Sequence, residues 1–245
     1  MSVFCQTKRP DLGLISLTLS DLYTSYTQLY TNRIYMKHIS LFLLLIFTCY
    51  NAEAQKNFEG SVKFSTHIST TNIAPQDFKK DLDEKYGDSL IMYYSVNGNF
   101  KRVHKNTAKF GADSQLYIAN KGVLYLQNKR NEIDSLNVKI NSLQLLSEKK
   151  IANETIMGLD CNCYQYLATS MYQQNVILTY CFNKKTPKIN EELYSKHTDF
   201  FLYNFYKLAK RPYLKFSIQT EEFNITYLAN ELKSQSLSQD LFHTK

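Results

Sequence analysis

Tight-turn motifs between short apolar runs constrain the fold of this sequence more than any other feature. Asn97-Gly98 is the strongest short motif for a two-residue hairpin turn. Asn120-Lys121-Gly122 and residues 170–175 are further turns between alternating apolar runs. Because each turn reverses the chain, the pattern predicts a meandering antiparallel sheet of roughly eight to eleven strands.

Apolar residues at every second position define the strands on either side of these turns. Residues 137–156 fit either a strand or a short helix, so their structure stays open at this stage. The predicted strands are residues 58–68, 90–96, 100–105, 115–119, 123–127, 132–136, 159–169 and 176–182, with two more on Leu214, Phe216, Ile218 and on Phe223, Ile225, Tyr227.

Two segments have helical spacing instead. Residues 75–86 begin with a proline and end before Gly87, and residues 198–209 begin with Thr198 as a potential N-cap. The expected fold is therefore α+β: a curved antiparallel sheet, an incomplete barrel, with one or two helices covering its concave side. The side chains expected to pack these helices are Phe78, Leu82, Phe201, Phe205 and Leu208.

An export signal precedes this domain. Met36-Lys37-His38 is a basic start, Ile39–Thr48 is a charge-free apolar run, and Ala52-Glu53-Ala54 has the small-x-small pattern of a cleavage site. The apolar run is too short for a stable membrane-spanning helix, which needs about 20 residues. We therefore predict a signal peptide at 36–54, a mature N-terminus at Gln55 and an exported protein of the periplasm or cell envelope.

The remaining boundaries follow from that assignment. Residues 55–245 form a single β-rich domain, and residues 1–35, which carry charges ahead of the signal, are expected to be a non-native N-terminal extension. A lipoprotein signal with acylation at Cys49 is the alternative, although Phe47 and Thr48 fit its recognition sequence poorly.

The charge and aromatic content of the chain limit the kinds of binding partner that are expected. The chain carries a formal charge of +7, but its lysines and arginines form no long block, so nucleic acid is not an expected partner. A peripheral contact with an anionic membrane surface is compatible with this charge. The chain has 19 Tyr, 15 Phe and no Trp, a balance that favours half-buried strands.

Several segments resemble a family of small secreted proteins of unknown function. The chain opens its first strand with Phe58-Glu59-Gly60, continues with a Tyr-rich hairpin at 92–103, and ends with a similar closing hairpin and tail. Residues 156–164 match the family pattern I-x-G-x-x-C-x-x-Y, although Cys163 is not part of it. The order of elements is also similar to the lipoprotein carriers LolA and LolB, which implies an apolar concavity plugged by helices.

Three cysteines remain in the mature region, so at most one internal disulfide forms. If residues 159–169 and 176–182 form a hairpin, Cys163 opposes Cys181 when the turn is centred on Tyr172. Cys163–Cys181 is therefore the candidate disulfide, and Cys161 with Cys181 is the alternative. A soft metal bound by the three cysteines is a weaker interpretation, and no metal site or cofactor is predicted.

No catalytic motif accompanies these features. The mature histidines at 67, 104, 197 and 243 are far apart, and the sequence lacks a G-x-S-x-G elbow, a P-loop and a G-x-G-x-x-G loop. We predict no catalytic residues, and packed or solvated histidines are the simpler interpretation. A hydrolase whose triad assembles only in space is kept as a second alternative.

The excess of tyrosine has two interpretations. The tyrosines are ordinary strand residues, or one row of them lines a cavity for an acyl chain or another apolar ligand. The favoured hypothesis is a non-enzymatic binding protein for a lipid, lipoprotein or other apolar ligand, and the first alternative is a ligand-free interaction module of the envelope. The oligomeric state stays open. The candidate cavity-lining residues are Tyr93, Tyr117, Tyr125, Tyr164, Tyr166 and Tyr180.

Overall fold

Eleven antiparallel strands form one sheet in residues 57–108 and 111–243, the part of the chain that the computed structural model describes. The strands are β1 Gly60–Thr70, β2 Ser89–Tyr94, β3 Phe100–Lys105, β4 Ala112–Ile118, β5 Val123–Asn128, β6 Ile133–Asn137, β7 Leu143–Ile156, β8 Leu159–Ser170, β9 Asn175–Phe182, β10 Lys215–Gln219 and β11 Phe223–Ser234. Their order in the sheet is β6-β5-β4-β3-β2-β1-β11-β10-β9-β8-β7. The predicted antiparallel α+β fold is confirmed. The predicted signal peptide, Cys49 and residues 1–35 lie outside the described residues.

Two α-helices and three short 3₁₀ helices complete this part of the chain. The predicted helices are both present, but each begins later than expected. The α-helices are α1 Phe78–Tyr86 and α2 Leu202–Ala209, and the 3₁₀ helices are Glu191–Tyr194, Asp199–Phe201 and Gln239–Phe242. Phe242 is buried, so the C-terminal segment is packed onto the domain.

The sheet is open but strongly curved. β6 and β7 are its two edges, yet only residues 138–142 connect them. A flat sheet would separate the edges by ten strand spacings, or about 48 Å, whereas a fully extended connection of this length reaches about 20 Å. The sheet must therefore curl until its edges approach each other. The connection is held inside the curve, because Val138 is buried and its carbonyl oxygen accepts a hydrogen bond from Thr198 N at 2.8 Å.

Helix α2 packs on the concave face with a different stripe from the one predicted. Phe205 is buried as expected, but Leu208 is 38% exposed, and that part of the prediction is wrong. Phe200 and Phe201 adopt positive φ angles of 52° and 56°, which are not helical, so the α-helix begins only at Leu202. Because the helix starts later than predicted, a different set of side chains faces the sheet. The stripe that faces the core is Leu202, Phe205, Tyr206 and Ala209.

The β8–β9 hairpin has the register expected from the cysteines. Cys163 opposes Cys181, and Thr169 opposes Asn175 across the turn. The two cysteines form the predicted disulfide, while Cys161 stays a free, buried thiol. The cross-link therefore fixes the pairing of these two strands, because a slip by one residue would turn the cysteines to opposite faces.

Candidate functional site

A cavity of about 690 Å³ lies on the concave side of the sheet. Its walls come from β2 to β6 on one side, β9 to β11 on the other, helix α1, and residues 197–202. This volume lies within the range of about 300–1,000 Å³ that is typical of small-molecule sites. Strands from both halves of the sheet reach one cavity because the sheet is curved.

The walls are mainly apolar. Strand alternation turns Leu90 of β2 and Leu124 and Leu126 of β5 toward the cavity, while Phe216 and Tyr227 approach from β10 and β11. Most of these side chains belong to the hydrophobic core or pack against it. An apolar ligand would therefore exchange water for hydrocarbon contacts at this site, which is favourable by about 25 cal/mol per Å² of buried surface.

Arg102 brings a positive charge into this apolar space. Its guanidinium lies 5.0 Å from the ring centre of Phe100, and its Nη1 donates a hydrogen bond to Gln115 Oε1 at 3.3 Å. Its Nε is buried and has no hydrogen-bond partner among the described residues. None of the salt bridges between described residues involves Arg102. The cavity therefore contains a cation whose protein neighbours are neutral.

His197 is a second polar group of the cavity wall. Only 3% of the residue is exposed, and neither ring nitrogen has a hydrogen-bond partner within the described ranges. Its ring lies 4.9 Å from that of Tyr117 and 5.7 Å from that of Phe100. Burial, with a further contribution from the charge of Arg102, lowers the pKa of His197 to about 3. The imidazole is therefore neutral at physiological pH, with one donor and one acceptor to offer.

His104 lies on the same face of β3 as Arg102, and its ring is hydrogen-bonded to the backbone. Its Nδ1 lies 3.1 Å from the carbonyl oxygen of Tyr86, an acceptor, so Nδ1 carries the proton and donates. The other nitrogen, Nε2, then offers a lone pair and has no partner in the described part of the chain. Burial lowers the pKa of His104 to about 4. At neutral pH His104 therefore has an unpaired acceptor buried in the cavity wall.

The tyrosines around Arg102 are neutral and mostly engaged. Tyr180 donates to the carbonyl oxygen of Phe200 at 2.8 Å, and Tyr213 donates to Met92 Sδ at 3.0 Å. Burial raises the pKa of both tyrosines. They therefore supply aromatic surface rather than negative charge, and they leave Arg102 without an anionic neighbour.

The rim of the cavity has the opposite charge. Asp81 and Glu84 come from α1, and Glu132 and Asp134 come from β6 and the turn before it. All four are exposed, as is Lys85, the one lysine of the lining. A fifth carboxylate of the lining, Asp199, is half-buried and accepts hydrogen bonds from Ser142. The rim is therefore predominantly acidic, while Arg102 is the cation of the interior.

The structure distributes the six predicted tyrosines over different environments. Tyr180 lines the cavity. Tyr117 lies on the same concave face but packs beside His197, and Tyr166 stacks on Phe201 at 5.5 Å. Tyr164 packs on Phe182, with its ring centre 6.3 Å away.

The other two tyrosines alternate with residues that face inward. Tyr93 precedes the buried Tyr94 on β2, and Tyr125 lies between Leu124 and Leu126, both of which line the cavity. They therefore lie on the convex face.

Potential metal ligands and nucleophiles are engaged elsewhere. Within the described part of the chain, Glu154, Cys163 and Cys181 bring three donor groups together, but both sulfur atoms belong to the disulfide. The carboxylate of Glu154 accepts hydrogen bonds from Lys215 Nζ at 2.7 Å. Burial raises the pKa of the Cys161 thiol. No hydrogen bond joins a described histidine to a hydroxyl or thiol, so the arrangement of a nucleophile and base is absent from these residues.

Sequence reasoning did not assign Arg102, His104 or His197 to a cavity. Phe100, Arg102 and His104 occupy alternate positions of β3, so a buried phenylalanine at the start places the next two on the same face. The surrounding lysines hide this pattern, because the strand has the composition of a solvated one. The sequence therefore shows that these residues share one face of β3, but not that this face borders a cavity.

Comparisons with known proteins give no family assignment. No family model matches the chain, and no curated protein is significantly similar to it. Among solved structures, a putative outer membrane lipoprotein-sorting protein domain from Vibrio parahaemolyticus is 9% identical, with 79% of this chain and 94% of that domain covered and a TM-score of 0.27. With a TM-score this low the similarity supports no inference. Within the described ranges, no helix has the length and hydropathy required to span a membrane.

Proposed function

We propose that this protein binds a lipid, a lipoprotein or another apolar ligand in the cavity and acts by carrying it rather than by catalysis. The observation that supports the proposal is the 690 Å³ cavity, whose accessible wall surface is mainly apolar and includes leucine, isoleucine and aromatic side chains. A well-packed interior would fill such a volume, because empty apolar space lowers stability. A hydrocarbon chain of matching length would restore those contacts.

The same proposal places the protein outside the cytoplasm. The Cys163–Cys181 disulfide supports this location, because such bonds persist in oxidising compartments and are rare in the cytosol. An export signal at 36–54 with a mature N-terminus at Gln55 stays part of the proposal. N-terminal sequencing of the protein from its host tests it: a chain beginning at Cys49 would show a lipoprotein, and one beginning at Met1 would contradict export.

Native mass spectrometry of the protein purified from its host envelope tests the binding function. We expect a mass increase that disappears on denaturation and is identified as a lipophilic compound. Leu126→Trp, which places an indole in the cavity, should abolish the adduct. Tyr125→Trp, the neighbouring change on the convex face, is the matched control and should retain it. An unliganded wild-type protein, together with no binding of added hydrophobic dye, would contradict the proposal.

A second candidate function is supported by the edges of the sheet. The β6–β7 region exposes several large apolar side chains, each at least 39% accessible, and clustered exposed apolar groups mark contact surfaces. An interaction module of the envelope would use this surface with or without a ligand. Replacing Leu145 and Leu146 by serine should abolish a partner complex without changing ligand binding. The exposed residues are Ile133, Leu136, Ile140, Leu145 and Leu146.

A further inference from the structure

The polar groups of the cavity are organised around one aromatic ring. The guanidinium of Arg102 lies 5.0 Å and the imidazole of His197 lies 5.7 Å from the ring centre of Phe100. Arg102 Nε and both ring nitrogens of His197 have no partner among the described residues. Nearly all buried polar atoms in folded proteins are hydrogen-bonded. This cluster therefore has unpaired donors and an acceptor buried in the wall of the cavity that both side chains line.

The charge of Arg102 specifies what those groups would bind. A guanidinium stays protonated, so it cannot escape burial by losing its proton as a lysine can. Removal of such a charge from water costs several kcal/mol unless an anion accompanies it. The described residues supply the ring of Phe100, the amide of Gln115 and a hydrogen bond with the Tyr213 hydroxyl, but no salt bridge. Asp199, a carboxylate of the lining, accepts hydrogen bonds from Ser142 instead. An anion from a ligand would provide the missing partner.

The rim shows how an anionic ligand would be oriented. Asp81, Glu84, Glu132 and Asp134 are exposed there, with only Lys85 to offset them. An anionic group left at the rim would face repulsion from these carboxylates, whereas one beside Arg102 would be attracted. The favourable orientation therefore has the anionic group inside and the hydrocarbon pointing toward the rim.

The register of the strands provides a path for that hydrocarbon. Arg102 opposes Gln115, Gln115 opposes Leu126, and Leu126 opposes Asp134 at the edge of the sheet. Three strand spacings give about 14 Å along the sheet from β3 to the edge strand β6. Leu124 and Leu126 form the middle of this path and the exposed Leu136 ends it. The wall thus changes from cationic to apolar along the direction in which a chain would lie.

We propose that the ligand is a single-chain amphiphile with an anionic head group, bound head first with its carboxylate or phosphate against Arg102 and its alkyl chain along β5 and β6. This inference rests on the proposed binding function and specifies its ligand class. Gln115, which accepts from Arg102, keeps the guanidinium in place, and His197 supplies a hydrogen bond to the head group.

A set of probes with one chain length and different head groups tests the ligand class. The affinities of hexadecanoate, hexadecyl phosphate, hexadecanol and hexadecyltrimethylammonium are measured below their micelle concentrations by isothermal titration calorimetry on delipidated, folded protein. We expect the anions to bind at least about tenfold more tightly than the alcohol, and the cation most weakly. The stronger of the two anions indicates whether the natural head group is a carboxylate or a phosphate.

Substitutions locate the effect at one residue. Arg102→Met should weaken hexadecanoate binding by about 10- to 100-fold and leave hexadecanol binding unchanged or improved. Arg102→Lys should retain the preference for anions over the alcohol. Lys105→Met removes an exposed cation of the same strand that does not line the cavity, and it is the matched control that should leave both affinities unchanged.

The possible results separate the proposed binding function from the proposed anionic head group. If none of the four probes binds, the binding function itself is wrong. If all bind with equal affinity and Arg102→Met changes none of them, the cavity binds hydrocarbon but the anionic head group is wrong. Tighter binding of hexadecyltrimethylammonium would also overturn the inference, because it would place the head group at the acidic rim. Should Arg102→Met fail to fold, the probe series on the wild-type protein decides the question alone.

Discussion

One half of the concave face is filled and the other half is hollow, although both belong to the same sheet. Beneath β8 to β10, Tyr180 stacks between Phe205 and Phe216, with ring centres 4.7 and 4.6 Å away. Beneath β2 to β6, Leu90, Leu124 and Leu126 border the cavity, and Tyr180 and Phe216 border it from the filled side. Both halves consist of antiparallel strands of one sheet. The difference in packing therefore comes from the helices that cover the concave face.

Helix length explains this difference. Helix α2 has eight residues and is therefore about 12 Å long, or between two and three strand spacings. It covers the filled half with Phe205, which is fully buried and packs on Tyr180 and Phe182. Helix α1 lies at the rim, where Leu82 is its one buried residue. A sheet this wide, with so little helix, therefore has an uncovered section, and the cavity lies there.

The largest expected effect is in the filled half. Phe205→Ala removes a fully buried ring from the aromatic cluster and should lower the free energy of unfolding by about 3–5 kcal/mol. Leu208→Ala, on the exposed side of the same helix, should change it by less than about 0.5 kcal/mol. Urea denaturation of both variants provides the measurement. Equal losses would mean that α2 packs with a different face.

Loss of the disulfide should have the next largest effect. The Cys163→Ala, Cys181→Ala double variant removes a cross-link between residues 18 positions apart and should lower the free energy of unfolding by roughly 2–3 kcal/mol. Guanidinium denaturation of the oxidised wild type and the variant measures the difference. Addition of a strong reductant to the wild type is the control and should remove most of that difference. A gap that persists under reduction would assign the loss to packing instead.

Acidification should lower the free energy of unfolding through two buried histidines of the cavity wall, His197 and His104. The pKa of His197 is lowered to about 3 in the folded state, below its value of about 6.5 in the unfolded chain. The unfolded chain therefore takes up a proton first, and stability is lost as the pH falls below about 6.5. His104, with a pKa lowered to about 4, acts in the same direction.

Each histidine should contribute about 1.4 kcal/mol per pH unit in this window. Between pH 7 and pH 5, His197→Gln should consequently lose about 2 kcal/mol less stability than the wild type. His67→Gln, an exposed histidine of β1, is the matched control and should follow the wild-type profile. Parallel pH profiles for the wild type and His197→Gln would refute a buried neutral imidazole.

The smallest effect should come from the cavity wall itself. Leu126→Ala removes methyl groups that already border the cavity, so the free energy of unfolding should fall by about 1 kcal/mol or less. Leu178→Ala, a fully buried change in the filled half, should cost about 2–5 kcal/mol. Chemical denaturation without ligand compares the two. A similar cost for both would show that the cavity is closed in solution.

Local sequence patterns were sufficient for most of the sheet. The β3 strand matches its predicted bounds of Phe100–Lys105, and the Cys163–Cys181 pairing follows from the spacing of the β8–β9 hairpin. The β7 strand could not be assigned from pattern alone. It is an edge strand on which Ile156 is the single buried residue, so no alternation of burial marks it.

The cavity was beyond local patterns for a different reason. Alternation shows that Arg102 and Phe100 share a face, but it does not show whether a helix covers that face. Coverage depends on α2, whose start at Leu202 follows from the positive φ angles of Phe200 and Phe201. These aromatic residues have no sequence signature for a left-handed conformation. Only the tertiary structure shows that Arg102, His104 and His197 line the same cavity.

The short connection between β6 and β7 also gives the domain a circular chain order. Read from β7, the neighbours are β8, β9, β10, β11 and then β1 to β6. Among the described strands, β1 beside β11 is therefore the only pairing that joins the first strand to the last. A circular permutant opened within 138–142, with the chain after Ser234 linked to that before Gly60, would convert this pairing into a local hairpin. Its relative contact order would fall, and folding should become faster while the cavity walls keep their strand neighbours. The wild-type order leaves closure of β1 on β11 as the long-range step of folding.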